Sequence, residues 1–167
     1  MFDHIGQIPA AAALKFSDRT ALVFENETFS FNEINSLVEK AAGGLAELGI
    51  LSGDTVTLYA ANSWEWIISY YAIARLGAVI NPVNTMLTPE EIEYVAKDCG
   101  AKAIITSSDK VAGILGITEV SDVSYIISFG ANVDKSVVSF DKLIATDLKA
   151  PNPTEIAPTS LSTIGYT

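Results

Sequence analysis

Few residues in this sequence could do chemistry, and the arrangements they fail to form are informative. No G-x-G-x-x-G follows an apolar strand-like run and no G-x-x-x-x-G-K-[ST] occurs, so neither common phosphate-cradling loop is complete. No G-x-S-x-G elbow presents a serine, and His4 lies in a terminal segment that suits a general base poorly. Carboxylates gather at Glu90, Glu91 and Glu93, but two of them fall in the first turn of a predicted helix, where the macrodipole favours acids. Cys99 falls on the apolar face of that helix and reads as a buried structural thiol, not a nucleophile. No Cys/His cluster has zinc spacing. Trp64 and Trp66 could line a ligand slot, yet aromatic residues on a crossover helix are usually core. These residues by themselves assign no catalytic group and no metal ligand.

The chain that must position them has 167 residues, enough for one domain with a sizeable core. An apolar fraction of 49 % and a mean hydropathy of +0.33 exclude disorder. Ten Lys+Arg against 20 Asp+Glu, a net charge of −10, argue against nucleic acid, which needs a basic stripe. The N-terminus has no basic region ahead of an apolar block, and the longest apolar run, Trp66 to Ala74, falls short of the ~18 residues a membrane helix needs. A soluble cytoplasmic chain is expected. With only 18 % charged residues, either the core is large for the length or part of the apolar surface normally faces something else.

A helix–Gly–strand cadence runs along the chain and predicts α/β architecture. Ala21–Phe24 and Thr28–Ser30, joined by Glu25-Asn-Glu27, read as a β-hairpin. Ser30 and Glu33 make a capping box, and Ile34, Leu37, Val38, Ala41, Leu45 and Leu48 follow at helical spacing until Gly49. Thr55–Ala60 is a strand. Asn62, as cap with Glu65, opens a helix over Trp64–Leu76 that closes at Gly77. Ala78–Ile80 is a short strand halted by Asn81-Pro82. Thr88-Pro89-Glu90-Glu91 starts the best-marked helix, whose apolar face is Ile92, Val95, Ala96 and Cys99. Ala103–Thr106 is the next strand. Beyond it, Val111–Leu115 and Phe140–Ile144 read as short helices, Tyr125–Phe129 as a strand, 146–158 as an extended loop, and 159–167 as a terminal strand. The predicted fold is a mainly parallel sheet with crossover helices and an N-terminal hairpin outside it.

The span Arg19–Thr106 resembles the N-terminal portion of the AMP-forming, adenylate-forming enzymes. The matching stretches are Asp18-Arg-Thr-Ala21; Thr28-Phe-Ser-Phe-Asn-Glu33; Gly43 to Leu48; Gly49-Ile50 with Gly53-Asp54; and Asn62 with Glu65. They continue as Gly77-Ala-Val-Ile-Asn-Pro-Val-Asn84, Glu90-Glu-Ile92, and Asp98-Cys-Gly-Ala-Lys102 leading into Ile104-Ile-Thr106. The closing Ser162-Thr-Ile-Gly-Tyr-Thr167 is the most telling piece, because in that family Tyr-Thr opens a Ser-Gly-Thr-Thr-Gly-x-Pro-Lys loop around the ATP phosphates. The stretch after Gly77 is similar to acyl-CoA synthetases for fatty or aromatic acids more than to peptide-synthetase domains. Amino-acid or carrier-protein adenylation, luciferase-like chemistry and a free-standing α/β binding module remain the alternatives.

The resemblance implies a fragment: residues 1–167 as the N-terminal part of the large adenylation domain, ending where the phosphate loop begins. It implies activation of a carboxylic acid by ATP with Mg²⁺ and transfer to CoA in the whole enzyme, with no catalytic residue in this chain, which alone would be inactive. Two residues carry over as cofactor-binding candidates. Thr167 would offer its hydroxyl and N–H to a phosphate once the following turn exists. Lys110, after the Ala-Ile-Ile-Thr strand, would meet the CoA nucleotide phosphate, against the plainer reading of a solvated lysine. Exposed apolar surface further predicts self-association as a homodimer.

Overall fold

The computed structural model describes residues 4–131, 134–145, 148, 150, 156–157 and 159–166. A 3-10 turn, Ile5–Gln7, enters α1 (Ile8–Phe16), which is followed by the antiparallel hairpin of β1 (Thr20–Phe24) and β2 (Glu27–Ser30). Then come α2 (Phe31–Glu47), β3 (Thr55–Tyr59), α3 (Trp64–Arg75), β4 (Val79–Pro82), α4 (Pro89–Asp98) and β5 (Ala101–Ser107). Short helices α5 (Ser108–Ile114) and α6 (Ile117–Val120) lead to β6 (Tyr125–Phe129), β7 (Val138–Ser139) and α7 (Phe140–Ile144). Strands β4-β3-β5-β6-β7, in that order, form one five-stranded parallel sheet, and the hairpin stands apart as its own two-stranded sheet.

Local chemistry accounts for most helix starts. Glu33 N donates to Ser30 Oγ at 3.2 Å while Ser30 N donates to Glu33 Oε2 at 2.7 Å, so the capping box of α2 satisfies two orphan donors. Thr88 and Glu91 do the same for α4, with Pro89 in the first turn, where its missing N–H is harmless. Past α2, Gly49 takes φ +87°, a conformation that disfavours any side chain.

Two layers of helix cover the sheet. On one face α2, α3 and α7 bury Leu45, Ile68, Ile73 and Phe140 against Val56, Leu58, Ile80 and Ile105. On the other, α4, α5 and α6 bury Ile92, Ile114 and Ile117 against Ile104 and Ile126. Each such side chain contributes roughly 1.5–3 kcal/mol of transfer free energy. Every residue of β3 is buried, as expected for a central strand covered on both faces. Arg75 Nε donates to Glu39 Oε1 at 2.8 Å, a part-buried pair joining α3 to α2.

Three readings from the sequence need correction. The cap of α3 is Ser63, not Asn62: its side chain accepts from Trp66 N at 3.2 Å, so Glu65 lies in the first turn but makes no capping box. β4 runs on through Asn81 and Pro82 because residue 82 keeps its register with Leu58 and needs no N–H toward β3. Residues 159–166 do not form a strand; they make a single parallel bridge, Ile80 with Thr163, for a reason given below. Most of the loop read at 146–158 lies outside the described residues, Pro151, Pro153 and Pro158 included.

Candidate functional site

The winding of the sheet reverses at β3. From β3 the chain steps to β4 on one side, then crosses back to β5 on the other. The helices leaving β3 and β5 pack on opposite faces, α3 beside α2 and α5 beside α4. Divergence of that kind opens a crevice at the C-terminal ends of the two strands, where open α/β sheets bind ligands.

Lys110 sits at that crevice. Its Nζ donates to Thr85 O at 3.2 Å and lies 5.5 Å from the centre of the Tyr59 ring. Tyr59 ends β3, and its hydroxyl donates to Leu87 O at 2.8 Å; its own carbonyl accepts from the Thr106 hydroxyl at 2.6 Å. Lys110 and Tyr59 thus hold loop 83–88 across the top of β3. The reading of Lys110 as a freely solvated side chain does not hold, since it is half-buried with a carbonyl and an aromatic face for company.

Beside the same loop lies a cleft of about 480 Å³. Its lining combines the apolar Val83 and Leu87 with Glu90, Glu91 and Tyr94 of α4 and with Tyr166. Its size is that of a small-molecule pocket, about 300–1,000 Å³. A smaller cavity of about 160 Å³ borders His4, Ile5 and Gly77, at the N-terminal end of β4 and away from the crevice.

Thr167 lies outside the described residues. Two side-chain hydrogen bonds, besides backbone bonds to Ile80, hold the segment that leads to it. Asn81 Nδ2 donates to Ile164 O at 2.9 Å, and Tyr166 Oη donates to Asp98 Oδ2 at 2.6 Å. The second bond holds the phenol neutral and pushes its pKa above the usual tyrosine range. Lys110 and Tyr166 therefore both border the surroundings of loop 83–88, one through Thr85 and the other through the cleft.

The remaining candidates are structural. Trp64 packs its ring 5.3 Å from Phe29 and 6.1 Å from Phe140, and Trp66 stacks on Tyr70 at 5.5 Å. Cys99 is half-buried, and burial pushes its thiol pKa up, away from nucleophilic character. Glu93 pairs with Lys97 at 2.6 Å on an exposed helix face. Among the described residues no three His, Cys, Asp or Glu side chains converge to hold a metal, and no helix is long and apolar enough to cross a membrane. Asn81 and Asp98 have no site role in the sequence reading, although both fall in the stretches that carry the family resemblance.

The family model of the AMP-binding enzymes matches residues 10–167. The chain belongs to that family. A 4-coumarate-CoA ligase 1 of Narcissus pseudonarcissus is 33% identical over 135 residues, which cover 80% of this chain and 24% of that protein. The mitochondrial medium-chain acyl-CoA ligase ACSF2 of Mus musculus is 35% identical over 103 residues, 60% of this chain and 17% of its own length. The crystal structure of the anthranilate CoA ligase AuaEII in complex with anthranoyl-AMP superposes with a TM-score of 0.92 over 98% of this chain and 32% of that one; at 23% identity it shows the fold. This AMP-binding enzyme chain spans at most about a quarter of the length of either ligase relative.

Proposed function

We propose that the chain is the N-terminal part of the large domain of an AMP-forming acyl-CoA ligase, acting in the cytoplasm on a fatty or aromatic carboxylic acid. The observation that carries this reading is that the relatives it matches are CoA ligases of both kinds, an aromatic-acid and a medium-chain enzyme. In such a ligase a carboxylate oxygen attacks the α-phosphorus of ATP and pyrophosphate leaves; the CoA thiol then attacks the acyl carbon and AMP leaves. Both steps depend on positioning and on neutralising phosphate charge, for which ATP is bound with Mg²⁺.

In this reading the groups that orient phosphate follow Thr167, so the chain of 167 residues is not catalytic alone. Thr167 contributes its hydroxyl and N–H to the start of the phosphate loop. Lys110, held at the sheet's C-terminal edge by Thr85 O, meets the CoA nucleotide phosphate with its remaining N–H donors. Leu14 and Met86, 90% and 85% exposed, are among the apolar side chains whose exposure favours a homodimer, for which sedimentation at high concentration is the check.

Carboxylate-dependent ATP–pyrophosphate exchange tests the reading. The whole-length protein should show exchange with a fatty or aromatic acid and form its CoA thioester, and the 167-residue chain should show neither. Exchange by the purified chain, or a whole-length protein inert toward every acid of those classes, would sink it.

A further inference from the structure

β4 can share only part of its outer edge with the segment beside it. Ile80 N donates to Ser162 O and Ile164 N donates to Ile80 O, both at 2.9 Å, which completes one parallel bridge. The next bond of a parallel ladder would run from the N–H of residue 82 to Ile164 O, and residue 82 is a proline with no N–H to give. Ile164 O nevertheless has a donor. Asn81, fully buried, sends its side-chain Nδ2 there at 2.9 Å. The Asn81 Oδ1 accepts from the Thr57 hydroxyl at 2.9 Å, with the Cys99 thiol 3.7 Å away. These partners fix the amide's orientation, because turning it over would set Oδ1 against another acceptor at Ile164.

The Asn81 side chain projects to the face where α4 ends, as its contact with Cys99 shows. Past Ile164 the chain follows it there, and Tyr166 meets Asp98 of α4.

We propose that Asn81 is a positioning residue for the phosphate-binding turn after Tyr166: its amide stands in for the N–H that Pro82 lacks and sets where the chain leaves the sheet. This inference rests on the ligase reading above. Asn81→Leu, close in shape, removes the amide. Pro82→Ala, on the outer side of β4, supplies the backbone donor again.

The test is ATP–pyrophosphate exchange by the whole-length protein, with hydrogen exchange at the Ile164 amide measured alongside. Asn81→Leu should raise the KM for ATP about tenfold or more and leave the KM for the acid within about twofold. Asn81→Leu/Pro82→Ala should return the ATP KM to within about threefold of wild type. A folded Asn81→Leu with wild-type ATP KM, or a double variant that stays impaired, overturns the proposal. If Asn81→Leu does not fold, the double variant decides: folded with near-normal ATP KM supports the proposal, and unfolded overturns it. Should the wild-type protein show no exchange with any acid, the ligase reading fails by itself. Protection of the Ile164 amide then decides the role of Asn81: loss in Asn81→Leu with recovery in the double variant supports it, and no change overturns it.

Discussion

Tyr166 and Asp98, 68 positions apart, are joined by a 2.6 Å hydrogen bond from phenol to carboxylate. The bond ties the last described residue to the final residue of α4. It favours the neutral phenol, so the folded pKa is raised above the ordinary value of 10.0. The sign is fixed: the bond's contribution is complete below pH 10.0 and is lost as pH rises through the folded value. An absorbance titration, differenced against Tyr166→Phe, should show this phenol ionising above the usual range. Asp98→Ala should bring it back down.

Glu33 carries the opposite shift. The Ser30 backbone N–H, and then its hydroxyl, hold the Glu33 carboxyl below its ordinary 4.5. A depressed carboxyl stabilises the fold above 4.5, and that contribution disappears as pH falls through the folded value. Glu33→Gln retains a capping-box residue without the titration. Thermal unfolding should find wild type the more stable at neutral pH, with the gap closing as pH falls below 4.5 through the folded value.

Lys110 has a local duty and a proposed distant one, and two variants separate them. Lys110→Met removes the bond to Thr85 O and should lower stability by about 1 kcal/mol. In the whole-length protein it should also raise the KM for CoA about tenfold or more, since a charged donor to phosphate is worth roughly 1.5–3 kcal/mol. Lys110→Arg should recover most of the CoA effect. Parallel loss in ATP–pyrophosphate exchange, which involves no CoA, would leave Lys110 a structural residue only.

At Gly44, α2 approaches α7 closely. A Cβ there would sit 2.6 Å from Leu143 Cγ and 2.8 Å from Leu143 O, so α7 would have to shift. Gly44→Ala should cost about 1–3 kcal/mol by overpacking, despite the gain in helix propensity. Urea unfolding gives the number.

How much of this was legible in the sequence follows from the range of each interaction. The Ser30–Glu33 and Thr88–Glu91 caps act over three positions, so spacing alone revealed them. The parallel strands showed as apolar runs because both faces are covered, and the hairpin showed because its turn is polar. The Ser63 cap was missed by one residue, since Asn62 has an equally good capping side chain and only the backbone decides between them. Contacts that shape the candidate site span 25 positions for Lys110 with Thr85 and 83 for Asn81 with Ile164. No local pattern encodes such pairs. A terminal strand was expected at 159–167 because β-propensity says nothing of the proline on the facing edge.

That proline has a consequence for how the molecule meets its neighbours in a crowded solution. A parallel sheet exposes two outer strands, and either could template the addition of a foreign strand and begin aggregation. Here β7, at one border, is only two residues long. At the other, Ile80 N and O are already engaged, and Pro82 offers nothing to an incoming carbonyl. Both borders are closed to strand-by-strand growth. Association of copies at this sheet is thereby directed to its side-chain faces, where sequence can make it selective.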